Sequence, residues 1–425
     1  MKKPHMTREE LSWILYDVGN SAFVLVMVTA IMPIFFKDFA ASGLPDAVST
    51  ANWGFANSTA SLLLAFLAPV LGVFADYKGF KIKFFAFFMA LGLIFTLILT
   101  LVQEGQWILC LLLFVAARVG WAGANIFYDA FIVDVTNPER MDRVSTAGYA
   151  WGYIGSVVPF LVIIGLILTA SRDSYPSLPV VPTKIGFVIV AIWWLAFTLP
   201  MLKNVKQKYA APPSPAPVKE AFSRLWETFA HIRRHRQAFY FLIAYFFYID
   251  GVDTIISMST AYGRDLGFGV TLLIGVILLI QIISFPFALL YGRLAGRFST
   301  KTMLMTGICV YGVITLMAFL LPEIPDLKIK TAIFWFIAFL VGSSIGGIQA
   351  LSRSFFGRLI PAENSAEFFG FYNVFGKFAA IAGPFLMGVV GKLTGHSRWG
   401  VLSILLLFII GAWLLSKVDG QVSGT

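Results

Sequence analysis

The chain has 425 residues, of which 58% are hydrophobic and only 13% are charged, and its mean hydropathy is +0.82. About a quarter of the residues of a soluble domain are charged, so this composition excludes an ordinary soluble protein and predicts an integral, multi-pass membrane protein with the lipid bilayer as a partner. The net charge of +10 comes from basic residues that cluster in loops on one side of the apolar stretches, so it indicates membrane topology and no nucleic-acid partner.

The first half of the chain contains six apolar stretches that are long enough to cross a bilayer. Thr7 and Glu10 have the spacing of a capping box, which predicts the start of the first helix. The first span is not a cleavable signal, because it is too long and no small-residue cleavage site follows it. The six predicted spans cover residues 11–36, 52–75, 82–102, 107–133, 144–170 and 183–202.

A basic, proline-rich linker separates this half from the second. Apolar residues in its second part, residues 218–236, have helical spacing among basic residues, which predicts a helix on an anionic membrane surface. Six further spans are predicted at residues 238–262, 268–291, 302–321, 331–353, 367–391 and 399–416. The sequence thus predicts an N-terminal six-helix bundle (1–203), a cytoplasmic linker (204–236) and a C-terminal six-helix bundle (237–425).

The two halves repeat one another weakly. Residues 123–138 and 346–361 are segments of equal length, and both begin with Gly and end with Pro. Internal repeats of this kind are typical of transporters built from two similar bundles. The predicted fold class is an all-α membrane protein with twelve transmembrane helices in two pseudo-symmetric bundles.

Polar side chains lie inside several of the predicted spans, where an ionisable group is costly and therefore indicates function. In the fourth span Arg118, Asn125 and Asp129 fall within about 20° of one helical line and form a polar stripe. The other candidates for substrate binding or coupling are Asp17 and Asn20 in the first span, Tyr153 in the fifth, Asp250 and Asp253 in the seventh, and Asn373 and Lys377 in the eleventh.

Two interpretations of these residues remain open. Arg118 and Lys377, together with the carboxylates, match the opposite charges of a zwitterionic ligand, and the planar guanidinium favours bidentate binding of a carboxylate. The same groups also match internal salt bridges that alternate during gating. For Asp17 and Asp250 the alternatives are a site for a substrate amine or a proton, and a buried ion pair that holds helices together.

Motifs for catalysis or metal binding find little support. His231 and His235 have a metal-ligand spacing, but no carboxylate or Cys completes a site, and a solvated basic face is the better interpretation. The sequence contains no nucleophile elbow, HExxH or phosphate loop. We therefore expect no enzyme activity, no catalytic residue, no metal site and no cofactor, while the buried carboxylates allow a coupling proton.

The stretch GVFADYKGFK resembles the loop between the second and third spans of major facilitator superfamily transporters. Its pattern is carried by Gly72, Asp76, Gly79 and Lys81. The resemblance implies a gating loop, in which the glycines allow tight packing and the Asp approaches charges or a helix N-terminus in the other half. That helix start is expected at the beginning of the eleventh span, at Asn364, Ser365 and Glu367.

Longer stretches resemble the vacuole effluxer-like family of major facilitators. They include WILYDVGNSAF from Trp13, FLIAYFFYIDGVDTII from Phe241, and the long segments that begin at Phe127 and Gly346. The resemblance covers nearly the whole transmembrane part. It implies two bundles around a site near the bilayer midplane, which is exposed to each side in turn.

The family's amino-acid exporters imply an amino acid or similar zwitterion as the substrate. The alternatives are a drug-type or metabolite exporter and a non-transporting receptor on the same fold. The positions of the basic residues predict that both termini are cytoplasmic. The expected location is a bacterial cytoplasmic (inner) membrane, and the expected state is a monomer.

Overall fold

The computed structural model describes residues 5–170, 178–212 and 236–419. Within these residues, twelve helices are long and apolar enough to cross a membrane, in agreement with the sequence. They are α1 (Arg8–Ala40), α2 (Ala51–Ala75), α3 (Phe80–Leu101), α4 (Trp107–Val135), α5 (Pro138–Thr169), α6 (Val180–Asn204), α7 (Arg236–Ser259), α8 (Gly275–Phe298), α9 (Thr300–Glu323), α10 (Leu327–Leu359), α11 (Ala362–Thr394) and α12 (Ser397–Ser416). The predicted linker helix, with His231 and His235, lies outside the described residues except for Arg236.

The start of α1 follows the capping box that the sequence predicted. The Glu10 N–H donates to the Thr7 hydroxyl at 3.1 Å, and the Thr7 N–H donates to the Glu10 carboxylate at 2.8 Å. Two donors at the helix start that have no helical partner are thereby satisfied reciprocally.

The second part of α1 is not a regular α-helix. It widens into π-helical turns at Val24–Ala30 and Phe36–Ala40, and the Ile31 N–H donates to the carbonyl of Val26, five residues earlier, at 3.0 Å. Pro33 lies between these stretches and cannot donate a backbone hydrogen bond, which interrupts the regular ladder. An apolar run alone does not reveal this widening.

Several helices extend past the predicted spans. The helix at α8 continues to Phe298, seven residues beyond the predicted end at 291, and α10 covers Leu327–Leu359 where the sequence predicted 331–353. The added turns contain Arg and Lys side chains, which end a hydropathy window but continue a helix without penalty. Hydropathy therefore locates the apolar part of each helix and not its ends.

The described residues form two compact units. Unit 1 takes its residues from Met1–Thr136, Trp151–Ser223 and Ala362–Gly370, and unit 2 from Asn137–Ala150, Arg224–Pro361 and Phe371–Thr425. Unit 1 thus contains the first turns of α11, and unit 2 contains the first turns of α5. The domain boundaries at 203 and 237 stay a prediction.

Close helix packing within each unit depends on glycines. In unit 1, a Cβ on Gly120 of α4 would lie 2.2 Å from the Gly92 nitrogen of α3, so the two backbones touch at this point. In unit 2, a Cβ on Gly347 of α10 would lie 2.2 Å from the ring of Tyr291 in α8. Small residues at such crossings are the usual means of packing transmembrane helices.

Candidate functional site

The Asp76 carboxylate is bound to the N-terminus of a helix. Asp76 follows α2 directly, and its two oxygens accept hydrogen bonds from the backbone N–H groups of Ala366, at 2.8 Å, and Glu367, at 2.9 Å. The side chain is fully buried within unit 1. The first N–H groups of a helix have no helical acceptor, so a carboxylate at this point satisfies them and also meets the positive end of the helix dipole.

Lys81 completes this cluster from the start of α3. Its ammonium group lies 2.8 Å from the Asp134 carboxylate and 2.8 Å from the Ser365 hydroxyl, and both charged side chains are fully buried. We call the contacts of Asp76 and Lys81 with Ser365, Ala366 and Glu367 the latch.

The local structure explains why glycine occupies positions 72 and 79 of the predicted gating loop. A Cβ on Gly72 would lie 2.5 Å from the Ala366 carbonyl oxygen, so only glycine allows this approach of α2 to α11. Gly79 has φ +79°, a left-handed conformation that favours glycine. The structure thus brings all four loop residues to one place, whereas their gating role stays a prediction.

Asp134 was missed as a partner of Lys81. The predicted fourth span ends at residue 133, so Asp134 falls just outside it, although this carboxylate is only 1% exposed. A buried lysine requires a buried anion, and this requirement is the signal that would have identified the pair.

Burial raises the pKa of the Asp76 carboxyl from 3.8 to about 7. Lys81 and the two backbone N–H donors act in the opposite direction, and the neighbouring Glu367 carboxylate raises the pKa further. Asp76 is therefore a group that titrates near neutral pH at the latch itself.

A second polar cluster of unit 1 joins α1 to α4. The Tyr128 hydroxyl donates to the Asp17 carboxylate at 2.7 Å, and the Asn125 amide donates to the Asn20 side-chain oxygen at 3.1 Å. Asp129, next to Tyr128, is 9% exposed. The predicted candidates Asp17, Asn20, Asn125 and Asp129 are thus gathered at neighbouring turns of two helices.

Tyr153 lies on α5, beside α1. The preceding Gly152 approaches α1 so closely that a Cβ would lie 2.6 Å from the Ser21 hydroxyl oxygen and 3.1 Å from the Asp17 carbonyl oxygen. Tyr153 is half-buried and belongs to unit 1. The structure therefore places Tyr153 on a helix that packs directly against α1, which carries Asp17 and Asn20.

Arg118 stands apart from the rest of its stripe. A rise of about 1.5 Å per residue puts Asn125 about 10 Å and Asp129 about 16 Å from Arg118 along α4. The guanidinium is half-buried near the middle of the span, and it makes no hydrogen bond or ion pair with any residue of the described segments. One small ligand cannot bridge the two ends of this stripe, so Arg118 is a separate candidate.

In unit 2, Asp250 is a fully buried carboxyl at mid-depth of α7. One of its oxygens accepts the Gly383 N–H at 2.8 Å, with the Thr254 hydroxyl 3.5 Å away. The other oxygen has no hydrogen-bond partner among the described residues. Pro384, which follows Gly383 inside α11, lacks an N–H and so cannot donate a helical backbone hydrogen bond at this point.

The other candidates of unit 2 are less closely defined. Asp253 and Asn373 are both half-buried, on α7 and α11. Lys377 lies on α11, but its side chain is outside the described residues.

Arg353 forms a further polar centre in unit 2 that was not among the predicted candidates. Its side chain, only 1% exposed, donates to the Ser145 hydroxyl at 2.9 Å and to the Ser145 carbonyl at 3.1 Å, and its guanidinium lies 4.4 Å from the centre of the Tyr149 ring. Nearby, Asp142 accepts the Thr300 hydroxyl at 2.6 Å. This centre was not predicted, because hydropathy places Arg353 at the end of a span.

The family described as vacuole effluxer Atg22-like matches the chain over residues 6–138 and 133–423. The chain belongs to this family. The sequence is 46% identical to a protein of Bacillus subtilis (strain 168) described as an uncharacterized MFS-type transporter, YxiO, over 98% of this chain and 96% of that protein. The Atg22-like chain is therefore a transporter of the major facilitator type and not an enzyme.

Fungal relatives are more distant. Autophagy-related protein 22-1 of Aspergillus terreus is 26% identical over 68% of this chain, and the match spans 52% of the fungal protein, about half its length. Solved structures support the fold alone: the proton:xylose symporter XylE has a TM-score of 0.71 at 11% identity, covering 98% of this chain and 96% of that one. The transporter FucP in its outward conformation has a TM-score of 0.71 at 15% identity, covering 97% of this chain and 98% of that one.

Proposed function

We propose that this transporter moves an amino acid or a similar small zwitterion by alternating access, and that Arg118 binds the carboxylate of the substrate. The supporting observation is a guanidinium in the middle of a membrane span without a partner in the described segments. Such a charge is costly unless it is compensated, and a planar guanidinium matches the two oxygens of a carboxylate. The family resemblance to amino-acid exporters supports the same substrate class.

Asp250 is the proposed site of a coupling proton. A carboxyl oxygen that is buried without a donor is better accommodated when the group carries a proton, because an isolated buried charge is strongly disfavoured. The remaining candidates for substrate binding or coupling are Asp17, Asn20, Asn125, Asp129 and Tyr153 in unit 1, and Asp253, Asn373 and Lys377 in unit 2.

The location and topology belong to the same proposal. The basic loops support cytoplasmic N- and C-termini in a bacterial cytoplasmic membrane, with the transporter acting as a monomer. Reporter fusions at both termini test the topology. A terminus that reports from the outer side of the membrane would contradict it.

The substrate proposal is tested by thermal stabilisation of the purified protein with individual amino acids, their amides and lipophilic cations. We expect an amino acid to stabilise the wild type and Arg297→Gln, a variant at an exposed arginine outside the site. The same ligand should not stabilise Arg118→Gln. The amide of that amino acid lacks the carboxylate and should stabilise none of the three proteins. Stabilisation by lipophilic cations alone would favour the exporter of cations, and stabilisation that survives Arg118→Gln would exclude the carboxylate role.

A further inference from the structure

The loop that carries Asp76 and Lys81 joins two helix ends that no side chain of the loop caps. Gly79 is the N-cap residue of α3 and has no side chain to accept the first N–H groups. The last carbonyl groups of α2 also lack helical donors. Backbone groups without partners at a partly buried helix end are disfavoured, so a partner from elsewhere in the chain stabilises them.

A single carboxamide makes hydrogen bonds with both helix ends. The Gln207 side-chain oxygen accepts the N–H of Gly79 at 2.8 Å and that of Lys81 at 3.4 Å. Its side-chain nitrogen lies 3.2 Å from the carbonyl oxygens of both Ala75 and Asp76, to which it donates. Gln207 follows α6, more than a hundred residues away in sequence, so it acts as a cap supplied from another part of unit 1.

The segment around Gln207 is itself held in place. One oxygen of the Asp134 carboxylate accepts the N–H groups of Lys208, at 2.7 Å, and Tyr209, at 3.0 Å, while the other oxygen binds Lys81. The Ala211 N–H donates to the Asp76 carbonyl at 2.8 Å. These contacts hold the Gln207 carboxamide in one orientation. A side chain can position other groups only when it is itself held in place.

We propose that Gln207 is a positioning residue of the transporter: its carboxamide holds the α2–α3 loop in the conformation in which Asp76 and Lys81 reach the start of α11. The segment that leaves α6 thereby controls how firmly the latch is closed. This inference goes beyond the proposed function, because it does not depend on which solute is carried.

Hydrogen exchange of the Ala366 and Glu367 amides measures the latch directly. These two N–H groups bind Asp76, so their exchange requires the latch to open. Gln207→Met preserves the length of the side chain and removes its hydrogen bonds. We expect it to speed exchange at these amides about fivefold, which corresponds to the loss of one net hydrogen bond.

Two controls separate positioning from a general loss of stability. Lys206→Ala changes an exposed neighbour of Gln207 and should leave the exchange of both amides as in the wild type. In an Asp76→Ala background the amides have already lost their acceptor, so Gln207→Met should add nothing further. Wild-type exchange in Gln207→Met would overturn the proposal, and so would an equal increase in the Asp76→Ala background or in Lys206→Ala.

Discussion

Lys81 and Arg118 are two cations within helices of unit 1, and their surroundings differ in kind. Lys81 is fully buried and is neutralised by Asp134 and hydrogen-bonded to Ser365. Arg118 is half-buried and has no partner in the described segments. A buried ion pair serves the structure, whereas a cation left without a partner is available to a ligand. This contrast separates the latch from the proposed substrate contact.

Removing Lys81 alone should be more damaging than removing the whole pair. Lys81→Met leaves the buried Asp134 carboxylate without its cation, and we expect a loss of about 3 to 5 kcal/mol in unfolding free energy. Lys81→Met combined with Asp134→Asn removes both charges and should recover part of that loss. Thermal unfolding of the two variants decides the point: a double variant less stable than the single one would contradict a compensated pair.

Asp76 predicts a pH-dependent latch. Because burial raises its pKa from 3.8 to about 7, the folded protein binds the proton more tightly than the unfolded chain does. The resulting contribution to stability is fully present below about pH 4 and is lost as the pH rises through 7. The melting temperature of the wild type, compared with that of Asp76→Asn, should therefore fall between about pH 4 and pH 7 and then level off.

The neutral variant Asp76→Asn is the matched reference, since all other titrating groups are common to both proteins. They include Lys81, Glu367 and Asp134, which surround the loop. If the melting temperature of the wild type minus that of Asp76→Asn rises with pH over this range, the Asp76 carboxyl is not held in its buried position.

At the scale of helices, the sequence predicted the structure correctly where a short local motif determines it. The capping box of Thr7 and Glu10 gave the start of α1, and the glycine pattern gave the loop after α2. The cap by Gln207 could not be predicted, because it joins groups from distant parts of the chain and carries no local pattern. Helical periodicity aligned Arg118 with Asp129, but alignment on one face says nothing of distance, and the helical rise of about 1.5 Å per residue puts the two residues about 16 Å apart along the axis.

The contact of α3 with α4 makes a prediction at this scale. Gly120→Ala puts a Cβ 2.2 Å from the Gly92 nitrogen, so the helices must move apart. We expect a cost of about 1 to 3 kcal/mol, as for other overpacked contacts, and a lower melting temperature. Gly165→Ala in α5 is the control, since a Cβ there meets no atom within 4 Å. Equal melting temperatures for the two variants would contradict the close packing.

At the scale of the whole molecule, corresponding helices of the two halves are divided between the two units in the same way. The fifth helix of each half, α5 and α11, contributes its first turns to the unit that contains the rest of the other half. The equal segments 123–138 and 346–361 both end at a proline where these turns begin: Pro138 is the first residue of α5, and Pro361 directly precedes α11. The repeat was visible in the sequence, but the exchange of first turns was not, because hydropathy treats each helix as one span.

Counterflow in proteoliposomes tests the central claim, that this transporter carries a zwitterion through the carboxylate contact of Arg118. Vesicles loaded with an unlabelled amino acid that stabilises the protein should transiently accumulate the labelled form when they contain the wild type or Arg297→Gln. Arg118→Gln, verified as folded by its melting temperature, should not accumulate it. Accumulation that is unchanged in Arg118→Gln, or accumulation of lipophilic cations and of no amino acid by the wild type, would contradict the account.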